Sequence, residues 1–251
     1  VFGYITFLAD RFFRVGNFVI DSIEGDVRVS LGLLSTSVET IPPARIHALQ
    51  ISQPWPWKLL GWWRVDANLA STPGSQNEKT PAHTLLLPVA TTTEMLRMVD
   101  LCLPGLRDDS SRAQITAMLG SDSKDWDDHG VPEMSLVTAS KRARYRIPLS
   151  AGVTGSAVVG EVVALRTGRW IAKLSLVPMA RIQSSSVSQG PWHRALGLSS
   201  FALESVEGPV STRVLGLDTS QALRWWDTVH ELTVSAVAQR PRTRTPRKKT
   251  T

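Results

Sequence analysis

Short runs of apolar residues make up most of the chain, and they predict a mainly β fold. In the first half these runs lie at 12–20, 26–35, 37–41, 45–52, 62–70 and 83–90. They are rich in β-branched and aromatic residues, and several alternate in polarity as half-buried strands do. Because Gly, Pro, Asn and Ser separate them at close spacing, the pattern favours a meandering antiparallel barrel or sandwich over βαβ units.

A helix is predicted after each set of strands. Thr91 and Glu94 have the spacing of a capping box ahead of the amphipathic run MLRMVDLCL. The second half repeats this order, with Asp218 as an N-cap for a helix through ALRWWDTVHELTVSAV after strands at 160–168, 169–177, 181–189, 199–206 and 210–217. Each half is therefore expected to form a small β-barrel or sandwich closed by one C-terminal α-helix.

The chain also repeats itself. The stretch IPPARIHALQISQPWPWKLLG at 41–61 returns as VPMARIQSSSVSQGPWHRALG at 177–197, and the offset of 136 holds without a gap from Gly32 to Gly61. Nine of these thirty positions are identical, whereas unrelated sequences would share roughly two. We therefore predict a tandem duplication.

The repeat predicts two domains of about 100 residues, an ordinary size for a domain. The first is expected over 10–107 and the second over 141–238. Between them, 108–140 is acidic and turn-rich and is predicted to be a linker, with one or two helical turns around 113–119. Residues 239–251 are predicted to be a disordered basic tail, because prolines interrupt them and apolar residues are almost absent.

The net charge of +6 comes entirely from this tail. Without its six basic residues, the remaining chain has 22 basic and 22 acidic residues; the six are Arg240, Arg242, Arg244, Arg247, Lys248 and Lys249. The neutral body predicts no nucleic-acid partner. The tail is either an electrostatic anchor for anionic lipid or a solubilising extension without a partner.

Three elements of the repeat carry a resemblance to a known family. A GLL-type strand, the segment TIPPARIHALQISQP and a K/R-x-LG turn resemble the bacterial membrane-flanked PH domain family, the type-2 bacterial PH or YdbT-like proteins. The second copy is the closer match. The resemblance implies two tandem PH-like barrels and a location at the bacterial cell membrane, with the domains on the cytoplasmic side.

Such proteins alternate PH-like domains with transmembrane helices, so the resemblance implies that this chain is a soluble C-terminal fragment. Its apolar start, Val1–Ala9, is then the cut end of a transmembrane helix that anchors the protein upstream. The alternative is a first strand of the fold. The single cysteine, Cys102, fits a reducing compartment.

The sequence offers little for catalysis. The five histidines share no position between the copies and have no metal-ligand spacing, and nucleophile or phosphate-binding motifs are absent. We therefore expect no enzyme activity, no metal and no cofactor. Phosphoinositide binding is not expected either, because the first strand-to-strand loop is acidic (DSIEGD) in one copy and lacks bases (GSAVVGE) in the other.

Two groups of residues are candidates for a contact site. Arg45 and Arg181, in the shared PxARI element, are suited either to clamp a phosphate or carboxylate or to pin a corner of the fold internally. Trp55, Trp57 and Trp192, in the segments after the shared Ser-Gln, are candidates for a membrane or partner contact, with barrel capping as the alternative.

The sequence thus predicts a non-enzymatic pair of PH-like domains that acts as a scaffold or oligomerisation module at the membrane. Self-association or a protein partner follows from that hypothesis. The alternative is a peptide- or protein-binding module that captures a strand at an open barrel edge. An exposed, uncharged edge strand beside the C-terminal helix would favour this alternative.

Overall fold

The computed structural model describes residues 19–23, 26–31, 37–69, 83–120, 122–123, 126, 136–205 and 208–238. These ranges contain thirteen strands: β1 Val19–Ile23, β2 Asp26–Leu31, β3 Ser37–Ile41, β4 Ile46–Pro54, β5 Trp63–Leu69, β6 His83–Ala90, β7 Leu136–Thr138, β8 Gly155–Val159, β9 Val162–Thr167, β10 Ile171–Pro178, β11 Ser184–Ser188, β12 Leu198–Glu204 and β13 Arg213–Asp218. They also contain five α-helices: α1 Trp55–Lys58, α2 Thr92–Cys102, α3 Asp109–Gly120, α4 Pro191–Leu196 and α5 Thr219–Ala238. Val1–Ala9 and the basic tail lie outside the described residues.

The strands form three antiparallel sheets. Two of them have three strands each, in the orders β1-β2-β3 and β11-β12-β13, and the third has seven strands in the order β6-β5-β4-β10-β9-β8-β7. The prediction of a mainly β fold with a C-terminal helix is confirmed. The described sheets are open, and none closes into the barrel that was expected.

Local sequence explains where the helix after the first set of strands begins. The Thr91 hydroxyl accepts a hydrogen bond from the backbone N–H of Glu94 at 3.4 Å, and the Glu94 carboxylate accepts one from the Thr91 N–H at 2.8 Å. This is the predicted capping box, which satisfies two backbone donors that a helix start leaves free.

Elements of the same type recur 136 residues apart. We call β1 through β6 with α2 the first unit, and β7 through β13 with α5 the second unit. The 3₁₀ turns Pro43–Arg45 and Met179–Arg181 occupy corresponding places in the two units, as do α1 and α4. Corresponding hydrogen bonds recur as well: Gln53 Nε2 donates to the Trp62 carbonyl at 3.1 Å, and Gln189 Nε2 donates to the Leu198 carbonyl at 2.9 Å.

The shared glycine has a conformational reason. Gly61 and Gly197 both adopt the left-handed conformation, with φ of 64° and 65°, in the turn that leads from the short helix into the next strand. Gly adopts this conformation without the steric cost that a Cβ adds. The shared Gln and Gly positions therefore build the turn between the short helix and its strand.

The hydrophobic core does not divide at the middle of the sequence. The larger cluster of buried side chains joins α2 and strands of the first unit to Ala157, Val159, Leu174 and Leu176 of the second unit. A second cluster packs α5 against both sheets of the second unit. The two units therefore share one core. A second core lies mainly in the second unit.

The segment between the units contains a longer helix than predicted. Residues 109–120 form the helix α3, which buries Ser111, Ile115, Met118 and Leu119, where one or two turns were predicted. Buried positions at spacings of four, three and one residues fit one helical face. Because the polar Ser111 interrupts the apolar positions of this face, the sequence pattern there is weak.

Candidate inter-unit junction and its two ends

The two units are joined by strand pairing between β4 and β10. These strands run antiparallel in continuous register, from Pro54 opposite Ile171 to Leu49 opposite Leu176. Leu49, Ile51 and their counterparts Leu174 and Leu176 are all fully buried. Each strand has a partner from its own unit on the other side, so the pairing continues one sheet through both units.

Buried polar side chains add a second tie between the units. The side-chain oxygens of Gln50 and Asn68, from the first unit, accept hydrogen bonds from the backbone N–H groups of Ser211 and Val210 at 3.2 and 3.1 Å. Both side chains are at most 5% exposed. A buried amide left without a partner costs roughly 1–3 kcal/mol, so these contacts specify how the units fit together.

One end of the junction is formed by the two PxARI corners. The Arg181 guanidinium donates a hydrogen bond to the Ala44 carbonyl across the units. Arg45 lies in the corresponding turn of the first unit and is half-buried. The Arg181 contact is consistent with the internal structural role that was one of the two alternatives for these arginines. The other alternative, an anion site, stays a prediction.

A groove of about 670 Å³ opens beside these corners. Its walls come from both 3₁₀ turns, the C-terminal end of α2, the β8–β9 turn and the last turns of α5. The titratable lining consists of Glu161, Arg181 and Cys102, and burial raises the pKa of the Cys102 thiol to about 12. Such a thiol stays protonated at neutral pH and is a poor nucleophile. The groove therefore gives no positive evidence for catalysis.

The opposite end of the junction carries an exposed aromatic patch. We use this name for six side chains from α1, the turn after it and the β9–β10 hairpin: Trp55, Leu59, Leu60, Trp62, Trp170 and Ile171. All six are at least 40% exposed, and Leu59 reaches 83%. The rings of Trp55 and Trp170 meet edge to face at 6.1 Å, and the Trp55 N–H donates to the Trp170 carbonyl at 2.7 Å. The patch is therefore held by the junction itself.

Three cations lie at this end of the junction. The pKa of Lys58 is lowered, first because partial burial removes water and then because Arg166 and Arg169 lie nearby. Arg169 is exposed and 3.8 Å from the Asp122 carboxylate. An apolar surface flanked by Lys and Arg suits the boundary between lipid headgroups and acyl chains.

Arg166 is buried, and its hydrogen-bond partners among the described residues are all backbone carbonyls. Its guanidinium donates to the carbonyls of Met118, Thr167 and Gly168. Burial lowers its pKa to about 10. Because Met118 lies in the last turn of α3, the cation also stands where a helix carries partial negative charge. Arg166 thus fastens α3 to the hairpin that carries Trp170.

Two of the three tryptophan candidates lie at the aromatic patch, and the third lies apart from them. Trp55 belongs to the aromatic patch, and Trp57 contacts Trp62 edge to face at 6.2 Å. Trp192 lies in α4 of the second unit and is 79% exposed. The patch residues Trp170, Ile171, Leu59 and Leu60 were missed by the sequence reasoning, which followed one copy at a time. Their signal was an apolar pair, Trp170-Ile171, next to the hairpin glycine Gly168.

In the described structure, β11 pairs with β12 on one side and with no strand on the other. Its sequence, SSSVS, contains no charge, and three of its five residues are exposed. It packs beside α5, where the Trp226 indole donates to the Ser185 carbonyl at 3.0 Å. This is the uncharged edge strand beside the C-terminal helix that would favour strand capture.

Residues 134–233 match the family model described as a bacterial PH domain. This segment of 100 residues covers the second unit from just before β7 into α5. A search of curated proteins finds no match to the chain. No described helix is long and apolar enough to cross a membrane. In the described ranges, no three His, Cys, Asp or Glu side chains are grouped as a metal ion would require.

Proposed function

We propose that the chain is a non-enzymatic scaffold or oligomerisation module of a bacterial membrane protein, built from two PH-like copies. The pairing of β4 with β10 carries this proposal, because it joins two units through backbone hydrogen bonds and a common core. The recurrence of elements 136 residues apart supports a duplicated, YdbT-like organisation. The match to the bacterial PH domain supports a binding or scaffold role.

A position at the cytoplasmic face of the cell membrane is the second part of the proposal. It is supported by the aromatic patch, whose exposed tryptophans and leucines are flanked by Lys58 and Arg169. Tryptophan favours the headgroup region, and nearby cations add attraction to anionic lipid. The proposed site therefore consists of the patch, with the basic tail as an additional contact.

Co-flotation with vesicles of phosphatidylcholine and phosphatidylglycerol tests the membrane part. Wild type is expected to float with the vesicles, and the double variant Leu59→Ser/Leu60→Ser is expected to lose most of this binding. Leu149→Ser/Leu223→Ser is the matched control, because these leucines are 58% and 50% exposed elsewhere. Deletion of 240–251 measures the tail separately. Equal flotation of both double variants, or none by wild type, would reject a role for the patch.

Strand capture is a second candidate function, and the open edge of β11 favours it. An extended segment that adds to this edge would gain backbone hydrogen bonds and contact α5. The test is NMR titration with a library of extended peptides, observing the amide signals of residues 184–188. Peptides that shift these signals selectively would support capture, whereas a library without any such peptide would count against it.

A further inference from the structure

The β4–β10 junction is a template for the open edge of β11. β4 and β11 occupy corresponding places in the two units, 136 residues apart, and so do β10 and β3. In the first unit the outer edge of β4 is occupied by β10. In the described structure, the corresponding edges of β11 and of β3 have no strand partner.

We infer that the outer edge of β11 binds β3 of a second copy of this chain, antiparallel and in the register of the β4–β10 junction. This rests on the proposed scaffold function and names its partner surface. In the junction, paired residue numbers add to 225, as for Ile51 opposite Leu174. Adding 136 to the residue numbers of β4 gives those of β11, and subtracting 136 from those of β10 gives those of β3, so the sum stays 225. Val187 then lies opposite Val38, and Ser186 lies opposite Glu39.

The backbone of β11 is oriented for this pairing. In β4, the Trp55 N–H bonds the Trp170 carbonyl, so odd-numbered residues direct their backbone groups towards β10. The corresponding residues of β11 are 185, 187 and 189. The Ser185 carbonyl accepts a hydrogen bond from the Trp226 side chain, which agrees with an outward direction, and an incoming strand would share this acceptor through the second lone pair of the carbonyl. Pro191, which corresponds to Trp55, has no N–H, so this ladder ends at residue 189 or 190.

Trp192 supplies a second reason for an incoming chain at this edge. It lies just beyond β11, in the helix that corresponds to α1, and is 79% exposed. At the junction, Trp55 of α1 is partly covered by Trp170 from the neighbouring hairpin. Trp192 corresponds to Pro56, the residue after Trp55, so the end of a strand bound at β11 would lie beside it. The edge of β11 and the Trp192 ring thus form one surface on which no described strand packs.

The predicted register can be tested by charge at one position. Ser186 is exposed and lies opposite Glu39 in a pair whose backbone groups point away from each other, where side chains are closest. Like charges directly opposite each other weaken strand pairing, and opposite charges strengthen it. In sedimentation velocity over a range of protein concentrations, Ser186→Glu is expected to weaken self-association about two- to fivefold, and Ser186→Lys to strengthen it similarly.

Pairing between molecules is tested by mixing. The Ser186→Glu and Glu39→Lys proteins together should associate more tightly than either alone, because the introduced carboxylate of one copy then faces the introduced ammonium group of another. Ser184→Lys is the matched control for Ser186→Lys, since it adds the same charge to the same face of β11 opposite the uncharged Ile41, and its neighbour in β12 is the oppositely charged Glu204. Circular dichroism melts establish that every variant is folded.

The outcomes separate the two proposals. If self-association does not change with the charge at 186, or if Ser184→Lys strengthens it as much as Ser186→Lys does, pairing of β11 with β3 is overturned and the scaffold proposal is left standing. A chain that stays monomeric at every concentration overturns both. Weakening by Ser186→Glu with recovery in the mixture supports both the surface and the register.

Discussion

The shared core predicts that a substitution at Leu174 in the second unit also destabilises the first unit. Leu174 is fully buried and lies opposite Ile51 across the junction. Its side chain belongs to the same core as Cys102 of the first unit. Replacing a buried leucine with alanine costs about 2–5 kcal/mol, and a loss of about 3 kcal/mol corresponds to an increase of roughly 100-fold in the open population. Leu174→Ala is therefore expected to accelerate modification of Cys102 about 100-fold.

The assay is the rate at which a thiol reagent modifies Cys102 under native conditions, with urea unfolding measured in parallel. The chain has one cysteine, so no second thiol confuses the signal. Leu223→Ala is the matched control, because Leu223 also lies in the second unit but is half-exposed on α5. If the reagent modified Cys102 in the Leu174→Ala variant at a rate within twofold of that in wild type, the two units would open independently. The shared core would then be refuted.

Four further predictions concern single residues. Gly168→Ala should lower the free energy of unfolding by about 3 kcal/mol, because at φ +73° its Cβ would lie 2.2 Å from the Ile171 carbonyl. Gly61→Ala, at φ +64° with open space around it, should cost only about 1 kcal/mol in the same urea measurement. Burial raises the pKa of Cys102 from 9.0 to about 12, so the folded state holds this proton more tightly. Stability should therefore fall as the pH rises from about 9 to about 12, and Cys102→Ala should flatten this dependence. Arg166→Leu leaves three carbonyls without their donor and should cost about 2 kcal/mol in urea; a variant as stable as wild type would contradict this role.

Much of the local structure could be predicted from the sequence. The strand His83–Ala90 has the predicted bounds, and the capping box at Thr91 and Glu94 forms as expected. Both depend on residues close in sequence, whose alternation or spacing is sufficient to specify the element. The helix after β13 is confirmed for the same reason.

The partner of each strand edge could not be predicted in this way. β4 and β10 were each assigned to a separate barrel, because alternation indicates which face of a strand is buried but says nothing about its neighbour. The polar residues Gln50 and Asn68 gave a usable signal: both interrupt apolar strands, and a buried amide requires a hydrogen-bond partner. That partner lies more than 140 residues away, which is beyond any local pattern.

The two corresponding edges differ in how permanent their pairing can be. In β4, all five residues from Ala48 to Ser52 are buried, and exposing them to water would cost too much for this edge to open in the folded chain. In β11, serine stands at four of the five corresponding positions, and three residues are exposed. An edge of serines can face water without promoting aggregation and still offers its backbone groups to an incoming strand. Under the proposed duplication, divergence would have left one edge suited to a permanent junction and the other to the proposed assembly.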